Sequence, residues 1–170
     1  MEILPVELGD LEERWAAYNA RSLVSHAEHF TVARNASLAF ACPSKPLSDL
    51  RVALLSSGGV YLKTSAGFDM ESHAGDDSIR WISGDAETRD LRFAHDHYDH
   101  TDADRDPNCM FPLNRLRELA AGAIIGSVAA QHVGMMGFIP DPSRLIQLRA
   151  PEIIARLAHD GVDAVVLSPG

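Results

Sequence analysis

Residues 141–167 read DPSRLIQLRAPEIIARLAHDGVDAVVL, a helical pattern followed by a short apolar run. The pair Asp141-Pro142 is typical of a helix start, because the carboxylate can cap the first turn and proline suits the first helical position. Gly161 is typical of a helix end. The apolar run at 162–167 then predicts a buried β-strand, so the stretch predicts a helix that leads into a strand.

The helix in this stretch has one internal interruption and one apolar face. Pro151 has no backbone N–H to donate, so it is predicted to kink or restart the helix. The side chains predicted to face the core are Ile153, Ile154 and Leu157.

The preceding stretch repeats the same order of elements. Residues 112–121 predict a helix that begins with Pro112 and ends before Gly122 as its C′ residue. Its apolar stripe consists of Leu113, Leu116, Leu119 and Ala120. Residues 123–130 (AIIGSVAA) predict a second buried strand. Helices that alternate with strands are typical of parallel strands joined by crossover helices.

The N-terminal half adds the remaining elements. Residues 51–56 (RVALLS) predict a buried parallel strand, and shorter strands are predicted at 78–83 and 91–94. Residues 10–13 resemble a capping box and predict a helix within an N-terminal extension and linker, residues 1–48. The chain is therefore predicted to be a single α/β domain with an open, mainly parallel sheet and flanking helices, Rossmann-like or flavodoxin-like.

The composition excludes several classes of protein. The 170 residues carry a net charge of −9 and no cluster of Lys or Arg, which excludes nucleic-acid binding. No apolar run is long enough to span a membrane, and the N-terminus lacks the pattern of a signal peptide. The two cysteines, Cys42 and Cys109, lie far apart and outside any CxxC pattern. We therefore expect a cytoplasmic protein with reduced thiols.

Two glycine-containing turns follow predicted strands. Ser57-Gly58-Gly59 comes directly after the strand at 51–56, where α/β folds usually bind ligands. It lacks the GxGxxG and P-loop patterns, so it is only a candidate cofactor-binding turn. Residues 131–137 (QHVGMMG) follow the strand at 123–130 and predict a second loop, which contains His132.

Residues 95–112 read HDHYDHTDADRDPNCMFP and are rich in acidic and imidazole groups. Their many carboxylates repel one another unless cations, donors or water balance them. No hydrophobic period runs through the stretch, so it predicts a long polar loop. Such a loop either carries function or is only a solvated acidic segment.

One interpretation of this loop is a metal site. The pattern HxHxDH, similar to that of the metallo-β-lactamase superfamily, is formed by His95, His97, Asp99 and His100. Imidazoles and carboxylates at this spacing can bind zinc and activate water. That superfamily uses further ligands downstream, where only His132 and the solvent-facing His159 remain. A calcium loop starting at Asp102 is excluded, because Pro107 and Leu113 replace its glycine and its bidentate glutamate.

A second interpretation comes from a set of segments spread over the chain. They are Gly84-Asp85, residues 95–99, residues 106–116, residues 126–129, His132, Met136-Gly137, residues 151–153 and residues 160–164. In these segments the chain resembles the selenoprotein B family of glycine, sarcosine, betaine and D-proline reductases. The resemblance covers about 120 residues in order, far more than a short motif.

The resemblance implies reductive cleavage of a bond next to the α-carbon of an amino acid or a related amine. It also implies a partner subunit whose pyruvoyl group captures the substrate amine, and a homo-oligomer. A selenocysteine or cysteine that attacks is expected just after the strand at 162–167, where this sequence ends at Gly170. One hypothesis is therefore that the chain is the N-terminal part of a longer subunit, with reading stopped at a selenocysteine codon. Genuine degeneration or an engineered truncation would give the same sequence.

The resemblance also implies roles for side chains at the carboxyl edge of the sheet. The residues expected to line the cleft, as general acid, amine-binding group or carbonyl-stabilising group, are His95, His97, Asp99, Asn108 and His132. Cys109 is either a substitute nucleophile or a packing residue beside Met110 and Phe111. His132 is either a catalytic group or a structural histidine.

Three functions remain open from the sequence. The first is a subunit or fragment of such a reductase, the second a zinc-dependent hydrolase that uses the HxHxDH loop, and the third a non-catalytic partner-binding remnant. Bound zinc would favour the second. An exposed apolar patch at the edge of the sheet is expected for the first and the third.

Overall fold

The structure, a computed structural model, describes residues 41–94 and 100–169. All of these residues belong to one compact unit, Ala33–Gly170. The helix predicted from residues 10–13 and most of the predicted extension at 1–48 lie outside the described residues.

The described residues form seven strands and three α-helices. The strands are β1 (Arg51–Ser56), β2 (Val60–Leu62), β3 (Arg80–Ser83), β4 (Leu91–Phe93), β5 (Ser127–Val128), β6 (Gln131–Gly134) and β7 (Ala164–Ser168). The α-helices are α1 (Thr101–Arg105), α2 (Leu113–Ala121) and α3 (Ala150–His159). Short 3₁₀ turns cover Leu47–Asp49, Thr88–Asp90 and Pro107–Cys109, and a π-helical turn covers Leu145–Arg149.

Strand β1 lies in the middle of the larger sheet. β5 and then β6 run along one side of it and β7 along the other, all three parallel to β1. β3 pairs antiparallel with the far side of β6, and β2 pairs separately with β4. The predicted α/β fold with an open, mainly parallel sheet is confirmed. The order β6-β1-β7 matches the start of a flavodoxin-like sheet.

Each face of β1 is covered by a different helix, because successive side chains of a strand point to opposite faces. The cluster on the α2 side includes Val52, Leu54, Leu113 and Leu116. The cluster on the α3 side includes Ala53, Val133, Ile153 and Leu157. The two crossover helices therefore lie on opposite faces of the sheet.

The second predicted strand is displaced along the chain. The sequence predicts it at 123–130, but the chain forms strand only at Ser127–Val128 (β5) and again at Gln131–Gly134 (β6). The first backbone hydrogen bond from this segment towards β1 is made by Gly126, whose N–H donates to the oxygen of Leu50, the residue before β1 (3.0 Å). A Cβ at Gly126 would lie 2.6 Å from the Asp49 carbonyl carbon. The prediction of a loop at 131–137 is wrong for its first four residues, because they form β6.

The reason for the displacement is the way in which α2 ends. The Ala123 N–H donates to the Ala120 oxygen (3.0 Å) and the Ile124 N–H to the Leu119 oxygen (2.9 Å). These two bonds form a Schellman motif, in which the C′ residue is left-handed. That residue is Ala123, with φ 56°, and not the predicted Gly122. The turn therefore uses residues that the apolar pattern assigns to a strand.

The helix faces are predicted correctly except at two positions. Ile154 is 67 % exposed and Leu119 is 41 % exposed, although both were expected to face the core. Ile154 is one position after the buried Ile153, and a helix rotates by about 100° per residue, so the two side chains do not share a face. The predicted restart at Pro151 is confirmed, because a π-helical turn, closed by the Ala150 N–H on the Leu145 oxygen, precedes it.

The last strand is less covered than its composition suggests. The sequence predicts a buried strand at 162–167, but Val165, Val166 and Leu167 in β7 are 38 %, 44 % and 69 % exposed. Among the described residues β7 is an edge strand, since it pairs with β1 alone. The expected exposed apolar patch at the sheet edge is therefore present.

The acidic stretch is more ordered than a polar loop. Residues 101–105 form α1, in which Ala103 is buried, and the 3₁₀ turn Pro107–Cys109 follows it. Asp102 and Asp104 lie in the first turn of α1, where the helix dipole favours carboxylates. The prediction of a loop throughout 95–112 is therefore wrong for these residues.

Candidate functional site

The carboxyl ends of β1, β6 and β7 meet at one edge of the sheet, which we call the carboxyl edge. The Ser57 N–H donates to the Ser168 carbonyl oxygen (3.1 Å), and this bond joins the ends of β1 and β7. On the other side, the Met135 N–H donates to the Ser56 oxygen (2.9 Å). The chain passes from β1 to β6 on one side and then crosses to β7 on the other. The gap at the ends of β1 and β7 is thus a topological switch point, where open α/β sheets bind ligands.

The turn after β1 uses its own amides to build this edge. In addition to the Ser57 bond, the Gly58 N–H donates to Ser56 Oγ (3.1 Å) and the Gly59 N–H to the Met135 oxygen (2.9 Å). Three successive amides therefore hold the strands together and do not point towards a ligand. This geometry gives no support to an anion-binding role for the predicted cofactor-binding turn.

The turn at Cys109 lies against the end of β7. Ser168 Oγ donates to the Met110 carbonyl oxygen (2.7 Å). Cys109, next to Met110 in the chain, is exposed and carries a free thiol. The exposure of Cys109 does not favour the alternative that it packs beside Met110 and Phe111, of which Phe111 is fully buried. An accessible sulfur therefore stands at the carboxyl edge.

Asn108 has partners for both polar atoms of its side chain. Its Oδ1 accepts the Asn114 N–H (3.0 Å) in the first turn of α2, and its Nδ2 donates to Asp106 Oδ1 (2.8 Å). The side-chain hydrogen bond from Asn108, followed by the one from its backbone N–H, lowers the pKa of Asp106. Asn108 therefore caps α2 from outside the helix, because it satisfies one of the helix's first N–H groups.

His132 lies within β6 and is fully buried. Its Nδ1 accepts the Leu54 N–H (2.9 Å), so the neutral ring carries its proton on Nε2. In the described part of the chain Nε2 has no hydrogen-bond partner, and the ring stands edge-on to Phe111 at 5.9 Å between centroids. Burial, followed by the charge of Arg117, lowers the pKa of His132 from 6.5 to about 4. The side chain bridges β6 to β1 as a neutral group.

Three predicted site residues lie outside the described residues: His95, His97 and Asp99. The residues on either side are described: the Ala94 N–H donates to the Gly59 oxygen (2.9 Å), and His100 Nδ1 lies 2.9 Å from Asp104 Oδ2. Among the described residues, no group of three or more His, Cys, Asp or Glu is placed to hold a metal. The zinc site stays a prediction, because three of its four ligands are not described.

Residues 25–169 match the family described as glycine/sarcosine/betaine reductase selenoprotein B (GRDB). The chain belongs to the glycine/sarcosine/betaine reductase selenoprotein B family. The D-proline reductase subunit gamma of Acetoanaerobium sticklandii is 39 % identical over 127 residues, which cover 75 % of this chain and 51 % of that protein. The chain thus spans about half the length of this curated relative. No solved structure matches it.

The selenoprotein B match confirms the resemblance drawn from the sequence. The family and the relative are both named for glycine-type and proline-type reductases. The matched residues include β1, β6 and β7, so they contain the whole carboxyl edge. Within the described residues, none of the helices is both long and apolar enough to cross a membrane.

In this selenoprotein B chain, sequence reasoning missed Arg117, whose charge contributes to the lowered pKa of His132. Its side chain leaves α2 and donates to the carbonyl oxygens of Gly84 and Ala86 and to Asn114 Oδ1. One signal was present, because Asn114 and Arg117 are polar residues at i and i+3, beside the apolar stripe of α2. Polar pairs in that position can bridge a helix to a neighbouring segment.

Proposed function

We propose that this chain is part of a reductase subunit that reductively cleaves an amino acid or a related amine in amino-acid metabolism. The observation that carries the proposal is the selenoprotein B match over residues 25–169. The 39 % identity to a D-proline reductase subunit supports it. The candidate substrates are glycine, sarcosine, betaine and D-proline, which are small amino acids or their N-methylated derivatives.

The proposed reaction breaks the bond between the α-carbon and the nitrogen of the substrate. Two thiol or selenol groups supply two electrons and end as a disulfide or a selenenyl sulfide, and their two hydrogens end on the α-carbon and on the nitrogen. For glycine, sarcosine and D-proline, a pyruvoyl group on a partner subunit would supply an electrophilic carbonyl that captures the substrate amine. We place the attacking selenocysteine or cysteine outside the 170 residues of this chain.

We place the substrate at the carboxyl edge, between the ends of β1 and β7. The position of this gap at a topological switch point supports that placement, and so does the exposed thiol of Cys109. The proposed general acid and amine-binding groups are His95, His97 and Asp99. The burial of His132 favours a supporting role for its ring over direct contact with substrate.

We further propose that copies of the chain associate in the cytoplasm. The apolar edge strand β7 supports association, because its five residues, AVVLS, contain no charge and no proline. Edge strands without such protection tend to pair with another strand. Free thiols at Cys42 and Cys109 support a reducing compartment.

The test uses the native assembly, isolated from the cells that make this protein through a tag placed before Met1. Each of the four candidate substrates is offered separately, with dithiothreitol as the electron donor. We expect at least one of them to be cleaved, with one dithiothreitol oxidised for each molecule of substrate. An assembly that contains the chain and cleaves none of the four would contradict the proposal.

Two matched cysteine variants test the placement of the site in the same assay. Both thiols are exposed, but only Cys109 lies at the carboxyl edge. If that thiol takes part, Cys109→Ser lowers kcat, whereas Cys42→Ser leaves it unchanged. Equal turnover in both variants would show that Cys109 is not a reacting group, and it would not contradict the proposed reductase activity.

A further inference from the structure

Arg117 joins two segments that are far apart in the sequence. Its Nε and Nη2 donate to the Gly84 oxygen (3.2 and 2.7 Å), and Nη2 also donates to the Ala86 oxygen (2.7 Å). Its Nη1 donates to Asn114 Oδ1 (2.9 Å) on the same helix. All four bonds go to neutral acceptors. The role of the guanidinium is therefore hydrogen bonding and not ion pairing. Its planar set of donors reaches the turn after β3 and Asn114 at the same time.

The same network continues to the carboxyl edge. The Asn114 N–H donates to Asn108 Oδ1 (3.0 Å), and Asn114 Nδ2 donates to Thr88 Oγ1 (3.0 Å). Asn108 in turn holds Asp106 through its side chain and its backbone N–H. A continuous set of hydrogen bonds thus runs from the turn after β3, through α2, to the turn that ends at Met110.

We infer that Arg117 is a positioning residue that acts through Asn114 and Asn108 to hold the Cys109–Met110 turn against the end of β7. The Met110 oxygen accepts the Ser168 hydroxyl at 2.7 Å, so a shift of this turn moves one wall of the gap at the carboxyl edge. The consequence for turnover rests on the proposed function. The positioning itself is a property of this chain and is measured without any substrate.

Hydrogen exchange of the backbone amides tests the positioning. Arg117→Lys keeps the charge, but a single ammonium cannot reach Gly84 and Asn114 together. We expect the amides of Cys109, Phe111 and Asn114 to exchange about tenfold faster or more, the effect of losing one charge-assisted hydrogen bond. Those amides are bonded to the Asp106 oxygen, the Pro107 oxygen and Asn108 Oδ1.

The matched control is Arg115→Lys on the same helix. Arg115 is exposed and pairs with Glu118 (2.9 Å), so its replacement should leave the three amides unchanged. The amides of β1 serve as the internal reference. Unchanged exchange in Arg117→Lys, or equal acceleration in β1, would overturn the inference.

A second variant covers the case in which Arg117→Lys does not fold. Asn108→Ala removes the side-chain bonds of Asn108 to the Asn114 N–H and to Asp106, and it leaves the bonds from Arg117 to Gly84 in place. It should speed exchange at Cys109 and Phe111 in the same way, and normal exchange there would equally overturn the inference.

Turnover of the assembled enzyme then separates the two proposals. Arg117→Lys should lower kcat and Arg115→Lys should not. A wild-type assembly without turnover, combined with faster exchange in Arg117→Lys, would refute the proposed function and support the positioning. Normal turnover and normal exchange in Arg117→Lys would refute the positioning alone.

Discussion

Lowering the pH from about 7 to 5 should destabilise the chain through His132. Burial and the charge of Arg117 lower the pKa of this ring from 6.5 to about 4. The unfolded chain takes up the proton near pH 6.5 and the folded chain only near pH 4. Between these values the unfolded state holds more protons, so stability falls as the pH falls. The whole effect is worth about 3 kcal/mol, of which about 2 kcal/mol is lost by pH 5.

Urea unfolding of the wild type and of His132→Asn across this pH range checks the magnitude. The Asn Oδ1 can accept the Leu54 N–H where Nδ1 does, but the amide does not titrate. The difference in unfolding free energy between the two proteins should therefore shrink by about 2 kcal/mol from pH 7 to pH 5. His159→Asn, at the end of α3, is the control and should follow the wild type. Parallel pH profiles for the wild type and His132→Asn would refute the reasoning.

Three further predictions concern the backbone and the sheet edge. Ala123→Gly should raise the unfolding free energy by about 1 kcal/mol, because φ 56° strains an alanine, and Gly161→Ala, at φ 70° after α3, should lower it by a similar amount. Thermal unfolding that gives the same sign for both would contradict this. Gly134→Ala should cost about 3 kcal/mol in urea unfolding, because its Cβ would lie 2.0 Å from the Val60 oxygen. Val166→Lys should reduce self-association measured by sedimentation, and a wild type that stays monomeric at all concentrations refutes the association.

The central elements of the fold could be predicted because their signals are local. The apolar run at 51–56 gives β1 with the same bounds, and the stripe on 112–121 gives α2 to within one residue. The strand after α2 could not be placed in this way. Its start depends on the left-handed turn at Ala123 and on the close approach of Gly126 to Asp49. Both are contacts that a hydrophobic pattern does not contain.

Burial at the edge of the sheet was the least predictable feature. Ile153 and Ile154 are identical side chains one position apart, yet one is buried and the other is 67 % exposed. The residues of β7 look like those of a central strand but lie at an edge of the described sheet. Periodicity shows which positions share a face, whereas exposure depends on where the neighbouring layer ends.

The segments that form the candidate site could be predicted from the sequence, but the hydrogen bonds that their side chains make could not. Asn108, Cys109 and His132 lie at or under the carboxyl edge. Oδ1 of Asn108 caps a helix, Nδ2 of Asn108 donates to Asp106, and Nδ1 of His132 bridges two strands. Residue type alone does not separate a reacting group from a supporting one, since both need the same donors and acceptors. Arg117 was missed because its bonds run to carbonyl oxygens more than thirty positions away along the chain.

These engaged groups limit how the proposed reaction could work. Within the described residues, the side chain of Asn108 and the amides of Ser57, Gly58 and Gly59 are committed to holding the carboxyl edge together, and His132 is buried and neutral. Cys109 is the group there with an exposed thiol. A reductive cleavage also needs an acid to protonate the leaving nitrogen and a second thiol or selenol. If the proposed function is right, we expect the acid to come from the stretch between Ala94 and His100. Exchanging His95 or His97 for glutamine should then reduce turnover far more than His132→Asn does.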